Sequence, residues 1–180
     1  MSQVKSRPRK TVEDYLKLPE GVRAELIEGE LFMSPSPKDR HQRVLFNLAL
    51  ELRLFVKANR LGEVWIAPFD VHLPTGDVVQ PDIIFVAEGN SRIVQGWIRG
   101  VPDLLVEVVS PESQERDRVV KRDRYARNGV KEYWIVDEKG VEVLALSGDQ
   151  YLSHGYFEAG DRVTSLILKG LSLPVQAIFV

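Results

Sequence analysis

Apolar residues recur at helical spacing along one stretch more clearly than anywhere else. Val44, Leu45, Leu48, Leu52, Phe55 and Val56 share a face, so the pattern predicts an amphipathic helix, with Gly62 as its expected stop. Before it, Thr11 followed by Glu13 and Asp14 fits a capped short helix ending near Pro19–Gly21. Ala24 to Met33 reads as a strand pair bent at Gly29, and Ser34–Pro37 as a stiff loop. Strands are then expected over Glu63–Leu73, Val78–Val86 and Asp103–Val109, with a polar, loop-like stretch from Glu88 to Gly100. Ser110-Pro111-Glu112 fits a helix start, and Gly129 a stop after Asn128. Glu132–Asp137 and Val141–Leu146 follow as strands, then a further hairpin and a short terminal segment.

The core order is therefore helix, strand, strand, strand, helix, strand. It predicts an α/β (α+β) fold, with a mixed central sheet flanked by helices and a right-handed crossover through the last helix. With 180 residues and no repeat or interdomain linker, one domain is expected over 11–180, preceded by a basic, flexible tail over 1–10. An N-terminal strand pair and a C-terminal β-hairpin are additions to the core.

There is no cysteine, which excludes disulfides, thiolate metal sites and a cysteine nucleophile. No stretch is apolar enough to span a membrane and the N-terminus lacks a signal-peptide pattern, so a cytoplasmic location without membrane contact is expected. Lys and Arg total 24 against 26 Asp and Glu, for a net charge of −2. The sum conceals an uneven distribution: the first ten residues carry +4 and Glu112–Lys131 carries +3. Arginine-rich faces suit phosphate, which makes Arg118 and Arg122 on the crossover helix candidates for substrate contact, a solvated face being the plainer alternative.

Two carboxylates interrupt strands that otherwise read as buried on both faces. Glu107 lies inside Leu104–Val109, and Asp82 follows Pro81 at the start of Ile83–Val86. Burying an ionised carboxylate without a partner costs several kcal/mol, so each must be paired, metal-bound or protonated. Two of them on adjacent central strands suit a hard cation such as Mg²⁺. Lys121 lies about 15 Å along the crossover helix and Glu107 roughly 10 Å back along its strand, which leaves a gap of about 5 Å that a lysine leaning toward the helix N-terminus covers. An ordinary i, i+4 surface pair with Asp117 is the alternative for Lys121. Tyr125 lies one turn beyond it, placed to orient Lys121 or to cap the core. His41 falls on the core stripe of the first long helix, either as a satisfied core residue or beside the site. Glu25 reads as an edge or surface carboxylate; His72 and His154 have no partners at metal-ligand spacing.

Pro81-Asp82 and Glu107-Val108-Val109, in this order of elements, resemble the PD-(D/E)XK nuclease superfamily. Within it the chain is similar to the Uma-two family of candidate restriction endonucleases. The matching stretches are Glu25–Leu31, Ser34–Pro37 with His41, Val79–Asp82, Pro102–Pro111, Arg116–Arg118 with Lys121, and Tyr125–Trp134. The superfamily places a lysine two residues after the glutamate, where this chain has Val109; the family places one on the following helix, where Lys121 stands. The resemblance implies a restriction-endonuclease-like αβββαβ core and metal-dependent hydrolysis of DNA phosphodiester bonds. It implies Asp82, Glu107 and the Val108 carbonyl as ligands of Mg²⁺ or Mn²⁺, Lys121 as the catalytic cation, and Glu25 as an outer or second-metal carboxylate. Gln80 and Tyr125 become supporting residues around the ligands. Cutting both strands of a duplex most simply takes two sites, so a homodimer is expected. Two other readings stay open: an inactive nuclease scaffold that binds nucleic acid or a protein, and a metal-free carboxylate-pair hydrolase such as a glycosidase.

Overall fold

The computed structural model describes residues 8–179. The chain runs through α1 (Val12–Leu16), β1 (Ala24–Ile27), β2 (Glu30–Met33), α2 (Asp39–Ala58), β3 (Gly62–Ile66), β4 (Val71–His72), β5 (Val78–Val79) and β6 (Ile83–Ala87). A 3₁₀ turn (Glu88–Ile93), β7 (Val94–Gln95), β8 (Trp97–Arg99) and β9 (Leu104–Val108) follow. A π-helical segment (Arg116–Lys121) then runs into α3 (Arg122–Asn128). The chain closes with β10 (Glu132–Val136), β11 (Gly140–Ser147), β12 (Gln150–Glu158), β13 (Arg162–Thr164), β14 (Ser172–Pro174) and α4 (Gln176–Phe179).

The main sheet has the order β12-β11-β10-β9-β6-β3 and is mixed: β9 and β10 are parallel, the other pairs antiparallel. The expected αβββαβ core is thus α2, β3, β6, β9, α3 and β10. A second sheet, β2-β1-β5-β4-β8-β7, packs beside it, and β13–β14 forms a small ribbon. Two apolar layers result. Val44, Leu45, Leu48, Leu52 and Val56 of α2 meet Val106 and Val108 on one face of the main sheet. Leu105 and Val109 turn to the other face, among Ile27, Ile84, Tyr125 and Tyr133. Alternation therefore sends Glu107 into the layer between the main sheet, the second sheet and α3.

Several expected elements are subdivided, and each break has a local cause. The stretch Glu63–Leu73 is not one strand: Pro68 interrupts it, leaving β3 in the main sheet and β4 in the second. Pro81 likewise divides Val78–Val86 into β5 and β6 on different sheets. The loop expected over Glu88–Gly100 holds the 3₁₀ turn and the β7–β8 hairpin. Gly62 is not the stop of α2. That helix ends at Ala58, with Arg60 at φ 54°, and Gly62 opens β3 at φ 145°, where a Cβ would meet Val86 O at 2.1 Å. The helix after Ser110 begins with a turn, in which the Ser110 hydroxyl accepts from the Ser113 N–H at 3.2 Å, and Gly129 closes α3 in the left-handed region as expected. The hairpin β11–β12 extends the main sheet, and β13–β14 is the further C-terminal pair. Thr11 and Asp14 form the expected capping box of α1. Most of the expected basic tail, residues 1–7, lies outside the described residues; Lys10 N–H donates to Gly29 O at 2.7 Å, against the β1–β2 turn. Among the described residues no helix is long and apolar enough to cross a membrane.

Candidate active site

Strands β6 and β9 pair with Ile83 opposite Val106, and the same register carried one residue further sets Asp82 opposite Glu107, on one face. Asp82 is tied to β9: its Oδ2 accepts the Val108 N–H at 2.7 Å. His41, from the first turn of α2, stands beside it with Nε2 3.0 Å from Asp82 Oδ1. His41 thus sits at the site rather than in the core.

Lys121 comes in from the helix side. Its Nζ lies 2.9 Å from Glu107 Oε1, 2.7 Å from Glu25 Oε1 and 3.5 Å from Asp117 Oδ1. All four side chains are almost fully enclosed: Glu25 and Lys121 are 2% exposed, Asp117 3% and Glu107 4%. Tyr125, fully buried, donates to Glu107 Oε1 at 2.9 Å, so it orients the carboxylate and not the lysine. Glu25 is buried, not an edge carboxylate, because the pairing of β1 with β5 covers it; the Gln80 backbone N–H donates to its Oε1 at 2.8 Å. The Gln80 side chain turns away to Asp70 and Tyr15.

The electrostatics follow from three carboxylates facing one ammonium in a buried layer. Burial pushes the Glu107 carboxyl well above its ordinary range; the Lys121 charge opposes this, and burial joined by the charges of Asp117, Asp82 and Glu25 prevails. For Glu25 burial also pushes upward, but the charge and hydrogen bond of Lys121, the Gln80 N–H and Arg116 prevail and hold it low. Lys121 is held firmly protonated: burial works against its charge, and Glu107, Glu25 and Asp117 overcome that. His41 is raised, because its contacts with Asp82 and Val108 outweigh its burial.

Arg118 and Arg122 do not reach this cluster. Arg118 is held by Asp137 and Glu142, and Arg122 donates to the Tyr151 carbonyl at 3.3 Å. Asp117 and Arg116, in contrast, do belong to it. Asp117 sits inside rather than on the surface, with Oδ1 buried and without a hydrogen bond. The i, i+4 spacing to Lys121 was the available signal, although it is equally compatible with an exposed pair. Other buried acids have local structural work: Glu132 accepts from Trp134, Ser165 and the Leu166 N–H.

Among the described residues no group of three or more His, Asp or Glu side chains is arranged to hold a metal ion. A smaller donor set is present: Asp82, Glu107 and the neighbouring Val108 carbonyl. Mg²⁺ commonly takes only one or two carboxylates and keeps several waters, so this set fits it, as does the surplus of negative charge.

No curated protein matches the chain. A crystal structure described as a putative nuclease belonging to DUF820, from Anabaena variabilis, matches with a TM-score of 0.78 at 20% identity, over 94% of this chain and 97% of that one. At that identity the likeness carries the fold, which is that of a restriction-endonuclease-like protein. A family model described as "Uma2: Putative restriction endonuclease" matches residues 12–176, nearly the whole of the chain and every residue of the site, and the chain belongs to that family.

Proposed function

We propose that the protein is a metal-dependent endonuclease that hydrolyses DNA phosphodiester bonds. The observation that carries this reading is the convergence of Asp82 and Glu107, from neighbouring strands, on a face where the Lys121 ammonium lies 2.9 Å from Glu107. Asp82, Glu107 and the Val108 carbonyl would hold Mg²⁺ or Mn²⁺. Such an ion, when bound, lowers the pKa of a coordinated water and offsets charge on the phosphate. The chain's own residues prepare that place. His41 and the Val108 N–H fix the two oxygens of Asp82. Tyr125 fixes Glu107 from behind. Glu25 and Asp117 keep Lys121 charged and aligned, ready to stabilise negative charge or orient a water. Val109, at the superfamily's lysine position, packs into the apolar layer and supplies no cation, so Lys121 from the helix takes that role. Action on both strands of a duplex by a homodimer belongs to this proposal.

A second reading, a nuclease scaffold that holds nucleic acid without cutting it, draws on the engagement of Lys121 by three carboxylates. Cleavage assays separate the two. Plasmid and oligonucleotide DNA should be cut with Mg²⁺ or Mn²⁺, spared with EDTA, and spared by Asp82→Ala and Glu107→Ala. Robust cutting by the Asp82→Ala protein overturns this site as the seat of the activity, and salt-dependent binding by wild type without cutting under either ion overturns the nuclease assignment and establishes the scaffold reading.

A further inference from the structure

The helix that carries Lys121 also carries five arginines, and four of them are hydrogen-bonded within the protein. Arg118 meets Asp137 and Glu142, Arg122 the Tyr151 carbonyl, Arg124 Asp77, and Arg127 Asp123. Arg116 differs. Its Nε is buried without a hydrogen bond, 3.8 Å from both Glu25 Oε2 and Asp117 Oδ1. Its guanidinium carbon lies 5.9 Å from the centroid of the Phe32 ring on β2. The side chain is 25% exposed, and among the described residues its terminal nitrogens make no hydrogen bond.

This is a guanidinium fixed at its inner end and open at its outer edge. Two carboxylates attract the inner end without binding it, and the Phe32 ring supports the plane. The open edge presents paired N–H donors, the geometry that matches two oxygens of a phosphate. A cation is needed there, because a phosphodiester approaching Asp82, Glu107, Glu25 and Asp117 would meet mostly negative charge.

We infer that Arg116, backed by Phe32, is the substrate-phosphate clamp of this site, donating its terminal N–H groups to the non-bridging oxygens of a DNA phosphodiester. The inference rests on the nuclease reading and adds a residue to it. Binding of a labelled duplex oligonucleotide, followed by fluorescence anisotropy in Ca²⁺ across a salt series, tests it. Arg116→Ala should raise Kd about tenfold and reduce the slope of log K against log salt by about one. Arg116→Lys keeps the charge that balances Glu25 and Asp117 but loses the fork; it should keep the wild-type slope and raise Kd severalfold. It also serves if the alanine protein does not fold. Arg127→Ala, on the same helix and exposed, should match wild type. Wild-type Kd in Arg116→Lys, or weaker binding by Arg116→Ala at an unchanged slope, overturns the clamp while leaving a cleaving wild type a nuclease. A wild type that neither binds nor cuts DNA overturns the nuclease reading and the clamp together.

Discussion

Replacing Glu107 with glutamine removes one charge from the site and little else. Both hydrogen bonds to the carboxylate fall on Oε1, from Lys121 and Tyr125 at 2.9 Å each, and an amide oxygen can accept both. What changes is the count of charges around one ammonium. Burial, together with Asp117, Asp82 and Glu25, raises the Glu107 carboxyl well above its ordinary range. A raised carboxyl holds a proton in the folded protein that the unfolded chain has released. Its contribution is therefore complete below the ordinary carboxylate value and is lost as pH rises toward the folded-state value. One proton limits the slope to about 1.4 kcal/mol per pH unit. Glu25, whose carboxyl is held low, acts in the opposite direction: its contribution is present above the ordinary value and is lost as pH falls through the lowered one. It remains in both proteins.

Glu107→Gln should accordingly match wild type near pH 4, gain on it as pH rises by no more than about 1.4 kcal/mol per pH unit, and be the more stable protein at neutral pH. In a domain of this size a gain of about 1.4 kcal/mol reads as an increase of about 3–5 °C in Tm. Urea unfolding midpoints from pH 4 to 8, in EDTA, measure the difference. Parallel pH curves for the two proteins, or a glutamine variant that loses ground as pH rises, would refute the reasoning. Magnesium supplies an independent arm. At a hundred times its Kd the ion should stabilise wild type by about 2.7 kcal/mol and leave the variant unmoved, so that a stabilised wild type becomes the active one.

Lys121→Met withdraws the ammonium from three buried carboxylates. It should cost about 3–5 kcal/mol at pH 7.5 by urea unfolding, with a smaller loss at pH 5, where protonation relieves the stranded charges; a loss independent of pH contradicts this. Gly62→Ala places a Cβ 2.1 Å from Val86 O at φ 145°, and should cost about 2 kcal/mol or more, read as a fall of about 4–8 °C in Tm by calorimetry; an unchanged Tm contradicts it.

The elements that place the candidate site were legible because they carry local signals. Helix α2 announced itself by period, and its apolar stripe is the one that is buried. Glu107 and Asp82 stood out because a strand buried on both faces has no ordinary place for a carboxylate, and their strands are neighbours in the sheet. The rise of a helix set against the rise of a strand brought Lys121 within reach of Glu107 but left the i, i+4 surface pair with Asp117 equally open, and the family resemblance favoured Lys121. What could not be read depended on packing at long range. Glu25 lies on a strand with an apolar neighbour on each side, and only the arrival of β5 as a second-sheet partner encloses it. That partner exists because Pro81 breaks a run that reads as continuous. Arg118 and Arg122 belonged to a count of basic residues, and a count carries no direction; Asp137 and Glu142, which hold Arg118, are distant in sequence.

The helix itself accounts for how one element delivers three polar groups to the same place. Asp117, Lys121 and Tyr125 are spaced four apart. In an α-helix of 3.6 residues per turn, each step of four overshoots a full turn, and two successive steps would carry Tyr125 well around the helix from Asp117. Here the first step runs through the π-helical segment Arg116–Lys121, whose wider turn makes four residues fall short of a revolution. The second step runs through α3 and overshoots. The two drifts oppose each other, so Asp117 and Tyr125 return to one line, with Lys121 between them. The carbonyl of Asp117 accepts from Tyr133 on β10 at 3.0 Å, which fixes the widened turn against the sheet. Asp117 and Tyr125 can therefore serve opposite ends of the same ion pair: Asp117 lies 3.5 Å from the lysine and Tyr125 bonds the glutamate at 2.9 Å. A lysine carried on the strand at position 109 would need no such adjustment. With an apolar residue there, the wider turn is what lets a helical lysine meet Glu107 while its neighbours remain in contact with the same cluster.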